Sequence, residues 1–225
     1  MGRRGSLLRR TGVVTRATAR AELRYACGLG TRVAPLVGMN VQEAINARRA
    51  VRAYSPRTVD EPQIQSLLHA AVQAPSAMNA QPWLFAVLQD RAQLKRYSDQ
   101  AKALLLARSA GEPKAARYAD LLQSPSFNIF YDAGTLIVIG ARERGTYTEA
   151  DCWLAAANVM LAATDLGLGT CCIGFAVPLL NTPEVLAELG FPTSGAAIAP
   201  VLVGYPTAAA PPIPRAAPKV TAWTR

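Results

Sequence analysis

Asp151-Cys152-Trp153-Leu154-Ala155-Ala156-Ala157-Asn158-Val159-Met160-Leu161-Ala162-Ala163-Thr164-Asp165-Leu166 reads as a helix that is apolar nearly all round. Such a helix has to be covered on every side. Asp151, Asn158 and Asp165 make it too polar for a membrane span. It therefore belongs at the centre of a domain or against a partner subunit, and its alanine surface, which permits close helix–helix approach, favours the partner. Gly167 stops it, and a strand follows from Thr170.

Outward from this helix the chain alternates further helices with short apolar runs that read as strands. Upstream, Gly134 to Gly140 is a buried strand bounded by glycines, and Trp83 to Gln89 a second strand. Asn40 caps a short first helix that ends near Arg49. Asp60 caps a second, with Pro62 in its first turn and Ile64, Leu67, Leu68, Ala71 and Val72 on its buried face. Gln93 to Ala107 is expected to be helical. Ser109 to Asn128, with Gly111, Pro113 and Pro125, reads as an irregular, mobile lid. Downstream come a short helix from Pro183 to Leu189 and a strand from Ala197 to Val203. Residues 206–225 are proline-rich and extended, a tail suited to wrapping a neighbour.

The 225 residues are 51% hydrophobic and 17% charged, which suits one folded domain. The net charge of +9 is unevenly placed: residues 1–38 hold eight arginines against Glu22 alone. The body of the chain is nearly neutral, which argues against a nucleic-acid partner for it. The basic segment has three readings: a transit peptide, a basic arm for nucleic acid or membrane, or a leader that reflects the choice of start site. We favour the last, because Met39 opens the first periodic helix. With one histidine (His69, expected to be a structural residue) and no CxxC pair, no metal site is expected. Cys171 and Cys172 read as small buried residues. Reduced cysteines and the absence of a long apolar run point to a cytoplasmic protein without a membrane anchor.

Three segments could carry chemistry. In Arg48-Arg49-Ala50-Val51-Arg52, a helical turn would stack Arg48 and Arg52 on one face, and arginine forks hold phosphate bidentately. A basic helix end is the plainer reading of that segment alone. In Ala74-Pro75-Ser76-Ala77-Met78-Asn79-Ala80-Gln81-Pro82-Trp83, the Asn79 and Gln81 amides match the donor and acceptor edge of a pyrimidine-like ring. Ordinary loop capping would also use them. Gly167-Leu168-Gly169-Thr170-Cys171-Cys172-Ile173-Gly174 does not open a helix after a strand, so it is not a dinucleotide fingerprint. It supplies backbone where a flat ring could lie. No Ser/His/Asp set, P-loop or paired carboxylate is visible.

Taken together, and in this order, the segments resemble the nitroreductase family of flavin mononucleotide (FMN) enzymes. The resemblance covers residues 39 to about 218. It rests on Ala44-Ile45 through Arg52, Ala74 through Phe85, Asp151 through Ala163, Leu166 through Thr170, Ile173-Gly174, and Val203-Gly204-Tyr205-Pro206 with Arg215 after it. It implies an α+β fold, a three-layer sandwich with a mixed central sheet flanked by helices. The sandwich would form an intertwined homodimer with exchanged C-terminal segments and two flavins at the interface. Residues 39–205 would form the FMN-binding domain. Arg48, Arg49 and Arg215 would grip the phosphate, and Arg52 would sit at the pyrimidine edge. Pro75, Ser76 and Asn79, with Gln81 nearby, would line the ring, and backbone from Cys172 through Ile173 to Gly174 would meet N5 and O4. Ala50 stands where the family usually has serine, which removes one hydroxyl contact. The implied activity takes hydride from NADH or NADPH through flavin N5 to nitroaromatic, quinone or enone acceptors by a ping-pong mechanism. Reductive dehalogenation, flavin degradation, or flavin binding without turnover are the alternatives.

Overall fold

The computed structural model describes residues 38–109 and 113–225. The basic segment, and Cys27 within it, lies outside the described residues apart from Gly38. Four strands form the sheet in the order β1-β2-β4-β3: β1 Trp83–Leu88, β2 Thr135–Ala141, β3 Gly169–Cys172 and β4 Ala196–Gly204. All three strand pairs are antiparallel, and the parallel component is a single bridge between Ala50 and Thr170. In β2 every residue is buried, as its unbroken apolar sequence requires.

Strand alternation divides the core into two layers. Leu136 and Val138 face one cluster, with Leu94, Tyr97, Leu180 and Leu186 from α3 (Arg91–Ser109), α6 (Val177–Leu180) and α7 (Pro183–Glu188). Ile137 and Ile139 face the other, with Ile64 and Leu67 of α2 (Glu61–Val72) and Cys152, Ala155, Ala156 and Val159 of α5 (Thr148–Asp165). The result is the expected three-layer α+β sandwich. Burying an Ile or Val in such layers contributes about 1.5–3 kcal/mol each. Close α2–α5 packing is permitted by fully buried alanines and fixed by Asn158 Nδ2, which donates to the Ala70 carbonyl at 3.0 Å.

Helix starts follow their capping chemistry. Asn40 Oδ1 accepts from Glu43 N at 3.0 Å, and Glu43 Oε2 accepts from Asn40 N at 2.7 Å, a reciprocal box that starts α1 (Val41–Ala47). Asp60 Oδ1 accepts from Gln63 N at 2.9 Å to start α2.

Several expectations need correction. Ser109 to Asn128 is not irregular throughout: α4 occupies Pro113–Gln123. Pro113 is its first residue, where a missing N–H costs nothing. Val72, expected on the buried face of α2, is exposed. α5 packs against the sheet, α1 and α2 but is not covered on every side within one chain, leaving Trp153 38% and Leu154 44% exposed. After Gly204 the chain pairs briefly through Pro206 with Tyr54 and then runs without regular structure to Arg225, exposing Ile213, Val220 and Trp223.

Candidate functional site

The arginine segment is not a helical turn. α1 ends at Ala47, and Arg48 has φ −57° and ψ 125°, so the chain leaves the helix in extended form. The reason is β3. Val51 N donates to Thr170 O at 2.9 Å, and Ala50 forms the parallel bridge with Thr170, so residues 49–51 lie along the edge strand. Ser55 N then donates to Tyr205 O at 2.8 Å and Thr207 N to Ala53 O at 3.1 Å, which ties the same segment to the end of β4. The Tyr54 hydroxyl donates to Val51 O at 2.7 Å; burial raises its pKa, so it stays protonated. Arg48 and Arg52 therefore do not share a helix face. They serve two separate clefts.

The first cleft, of about 410 Å³, brings together Arg48, Arg49 and Arg215 with Ile45, Asn46, Ala157, Met160, Leu161 and Ile213. Arg49 Nη1 donates to the carbonyls of Asn46 and Arg48 at 2.6 and 2.8 Å, which holds its guanidinium at the end of α1. Its Nε is buried without a partner. Among the described residues, no carboxylate lies within salt-bridge distance of these three arginines. Three converging cations with a buried, unsatisfied donor fit a dianionic phosphate, which would relieve their repulsion and satisfy the donor.

The second cleft, of about 430 Å³, is lined by Arg52, Tyr118, Leu121, Ile129, Tyr131, Cys171, Cys172, Ile173, Gly174 and Phe175. Arg52 stands 5.9 Å over the Tyr131 ring, and Tyr118 meets Phe175 edge-on at 5.3 Å. Gly174 is open: a Cβ there would meet no atom within 4 Å. A flat ring can thus approach the backbone of Cys172 to Gly174 without collision. Cys172 Sγ lies 3.7 Å from Met160 Sδ, linking the two clefts. Burial raises the pKa of Cys171 and Cys172, as suits thiols that pack rather than react. Ala50 is partly buried against the core cluster and offers no hydroxyl.

The proline-flanked loop lies apart: Pro75, Ser76, Asn79 and Gln81 line neither cleft. Nor do its two amides stand free, because Gln81 Nε2 donates to Asn79 Oδ1 at 2.9 Å. A 3-10 turn spans Ala77–Asn79, and Met78, Asn79 and Gln81 all have positive φ, at 52°, 55° and 45°. Each costs about 1–2 kcal/mol relative to right-handed backbone, so surrounding contacts must enforce them. Ser76 Oγ accepts from Gln81 N at 3.0 Å. The buried Asp151 carboxylate accepts from Ala77 N at 3.1 Å, and Arg142 Nη2 donates to the carbonyls of Ala80 and Gln81. Sequence reasoning passed over Asp151 and Arg142. The available signal was an acid in the first turn of an otherwise apolar helix.

No helix among the described residues is long and apolar enough to cross a membrane, and no group of three or more His, Cys, Asp or Glu there could hold a metal. Cys152, Cys171 and Cys172 are free thiols.

A sheet between two helical layers, with an arginine-lined cleft between α1, α5 and the C-terminal segment, defines the α+β class of this chain. The chain belongs to the nitroreductase family, which it matches over residues 45–205. A protein of Archaeoglobus fulgidus with the provisional name NADH dehydrogenase/NAD(P)H nitroreductase is 31% identical over 172 residues, 72% of this chain and 83% of its own. The iodotyrosine deiodinase of Thermotoga neapolitana is 26% identical over 167 residues, 64% of this chain and 84% of its own. Among solved structures, a nitroreductase with bound FMN from Bacteroides fragilis superimposes with a TM-score of 0.69 at 28% identity, covering 83% of this chain and 98% of that one.

Proposed function

We propose that this chain is an FMN-dependent oxidoreductase that takes electrons from NADH or NADPH and passes them to nitroaromatic, quinone or enone acceptors. The observation that carries this reading is the convergence of Arg48, Arg49 and Arg215, with no counter-ion among the described residues, in a cleft linked through Met160 and Cys172 to the one lined by Arg52 and the open Gly174. The three arginines hold the phosphate, with Arg49 Nε as the unsatisfied donor. Arg52 lies along the pyrimidine edge of the ring, where its charge favours added electron density. Ile173 and Gly174 offer backbone to N5 and O4. Bound FMN supplies the redox chemistry at N5, so the protein needs no nucleophile and contributes binding, orientation and electrostatics.

Since Pro75, Ser76, Asn79 and Gln81 line neither cleft of their own chain, they reach the flavin from a second copy. Exposed Trp153 and Leu154 on α5, Val41 and Ile45 on α1, and Ile213 and Trp223 in the tail provide the apolar surface for that homodimer. Residues 39–205 form the flavin domain, and residues 206–225 extend it and lie against the partner. The deiodinase relative supports a second reading, reductive dehalogenation on the same site. Consumption of NADH and NADPH by the FMN-loaded protein, with menadione, nitrofurazone and an iodinated tyrosine offered in turn, separates the two. Turnover with the quinone or nitro compound supports the first reading, and turnover confined to the iodinated substrate replaces it with the second.

A further inference from the structure

We propose that Asp151 and Arg142 are positioning residues for the flavin, acting through the Ser76–Gln81 loop that they hold from opposite sides. This rests on the reading that the loop contacts FMN. Ser76 precedes the 3-10 turn but makes no side-chain cap to it. The Ala77 N–H that starts the turn goes instead to Asp151 Oδ1, from a residue only 5% exposed in the first turn of α5. The remote carboxylate thus satisfies the first N–H of the turn, which Ser76 as its cap does not reach. Ser76 Oγ is left to accept from Gln81 N, which keeps its hydroxyl hydrogen for an outside acceptor.

Arg142 follows β2 directly and fixes the other end. Its side chain donates to the Ala80 and Gln81 carbonyls, and its backbone N donates to Pro82 O at 3.1 Å. Its own carbonyl accepts from Ser194 Oγ at 3.0 Å. Between these anchors the chain keeps Met78, Asn79 and Gln81 in left-handed backbone, where glycine would remove the strain. A loop that only connected α2 to β1 would gain from glycine at those positions. Side chains stand there instead, with Met78 fully exposed, and this points to a surface that something else must contact.

The test measures FMN affinity by quenching of flavin fluorescence. Asp151→Ala and Arg142→Ala should each raise the FMN Kd about tenfold. Asp151→Asn keeps an oxygen acceptor for Ala77 N and should stay within about threefold of wild type. Arg142 is exposed, so its variant decides the question if Asp151→Ala does not fold. In heterodimers of one Arg48→Ala subunit with one Arg142→Ala subunit, tight binding should return at one of the two sites, because there an intact cleft meets an intact loop. Wild-type affinity in Arg142→Ala, or no recovery in the mixed dimers, overturns the proposal. The underlying flavin reading fails differently: it falls if Arg48→Ala itself binds FMN like wild type.

Discussion

Val51 donates its backbone N–H to the Thr170 carbonyl at 2.9 Å, and its side chain fills the space over Gly169, where an added Cβ would stand 2.7 Å from Val51 Cγ2. The missing side chain at Gly169 is what lets the arginine segment lie along β3. Gly169→Ala should cost about 1–3 kcal/mol of stability through overpacking. It should also weaken FMN binding by displacing Arg48 to Arg52. Thermal unfolding and FMN titration of the variant check both, and a variant with unchanged Tm and affinity would show that the segment is held some other way.

Arg215→Ala should weaken FMN binding far more than Arg91→Ala. Arg215 stands in the uncompensated cleft, whereas Arg91 Nη2 donates to the Pro56 carbonyl at 2.8 Å on an exposed surface. A charge-assisted phosphate contact is worth about 1.5–3 kcal/mol, which is about ten- to a hundredfold in Kd. Equal flavin retention by the two variants would remove Arg215 from the phosphate site.

Steady-state kinetics should be ping-pong, with parallel double-reciprocal lines when donor and acceptor are varied together. One aromatic-walled cleft, between Arg52 and Phe175, has to serve both in turn. Arg52→Ala should lower kcat with NADH more than it lowers FMN affinity, because a charge at the ring edge matters most as electron density builds there. Intersecting lines, or an unchanged kcat in the variant, would contradict this assignment.

Acid stability should carry the signature of Glu188. Hydrogen bonds from Arg96 and then Tyr97 lower its pKa to about 2. A depressed carboxyl contributes stability that is present above its ordinary value and is lost as pH falls through the folded one. The contribution should therefore fade between about pH 4.3 and 2. Urea unfolding of Glu188→Gln against wild type should show a shallower loss across that window, and parallel curves would exclude the contribution.

Much of the fold was legible in the sequence because its signals are local. Asp60 with Pro62 marked the start of α2, and the glycine-bounded run before Ala141 marked β2. α4 was missed because Gly111, Pro113 and Pro125 read as breakers, although Pro113 sits at the helix start and Pro125 beyond its end. The site was less legible. Arg48 and Arg52 at helical spacing suggested one face, and only pairing with Thr170, more than a hundred residues away, makes the segment extended. Asp151 looked like an incidental polar residue, since its partner Ala77 lies 74 positions away. Long-range backbone pairing has no period in sequence, which is why the arginines were identifiable as residues before their arrangement was.

FMN titration of the purified protein, monitored by visible absorbance alongside its mass in solution, tests the central claim most directly. A composite flavin site predicts a dimer that binds one FMN per chain, with affinity reduced by both Arg48→Ala and Arg215→Ala. A protein that binds no FMN, or binds it equally well without either arginine, would contradict it.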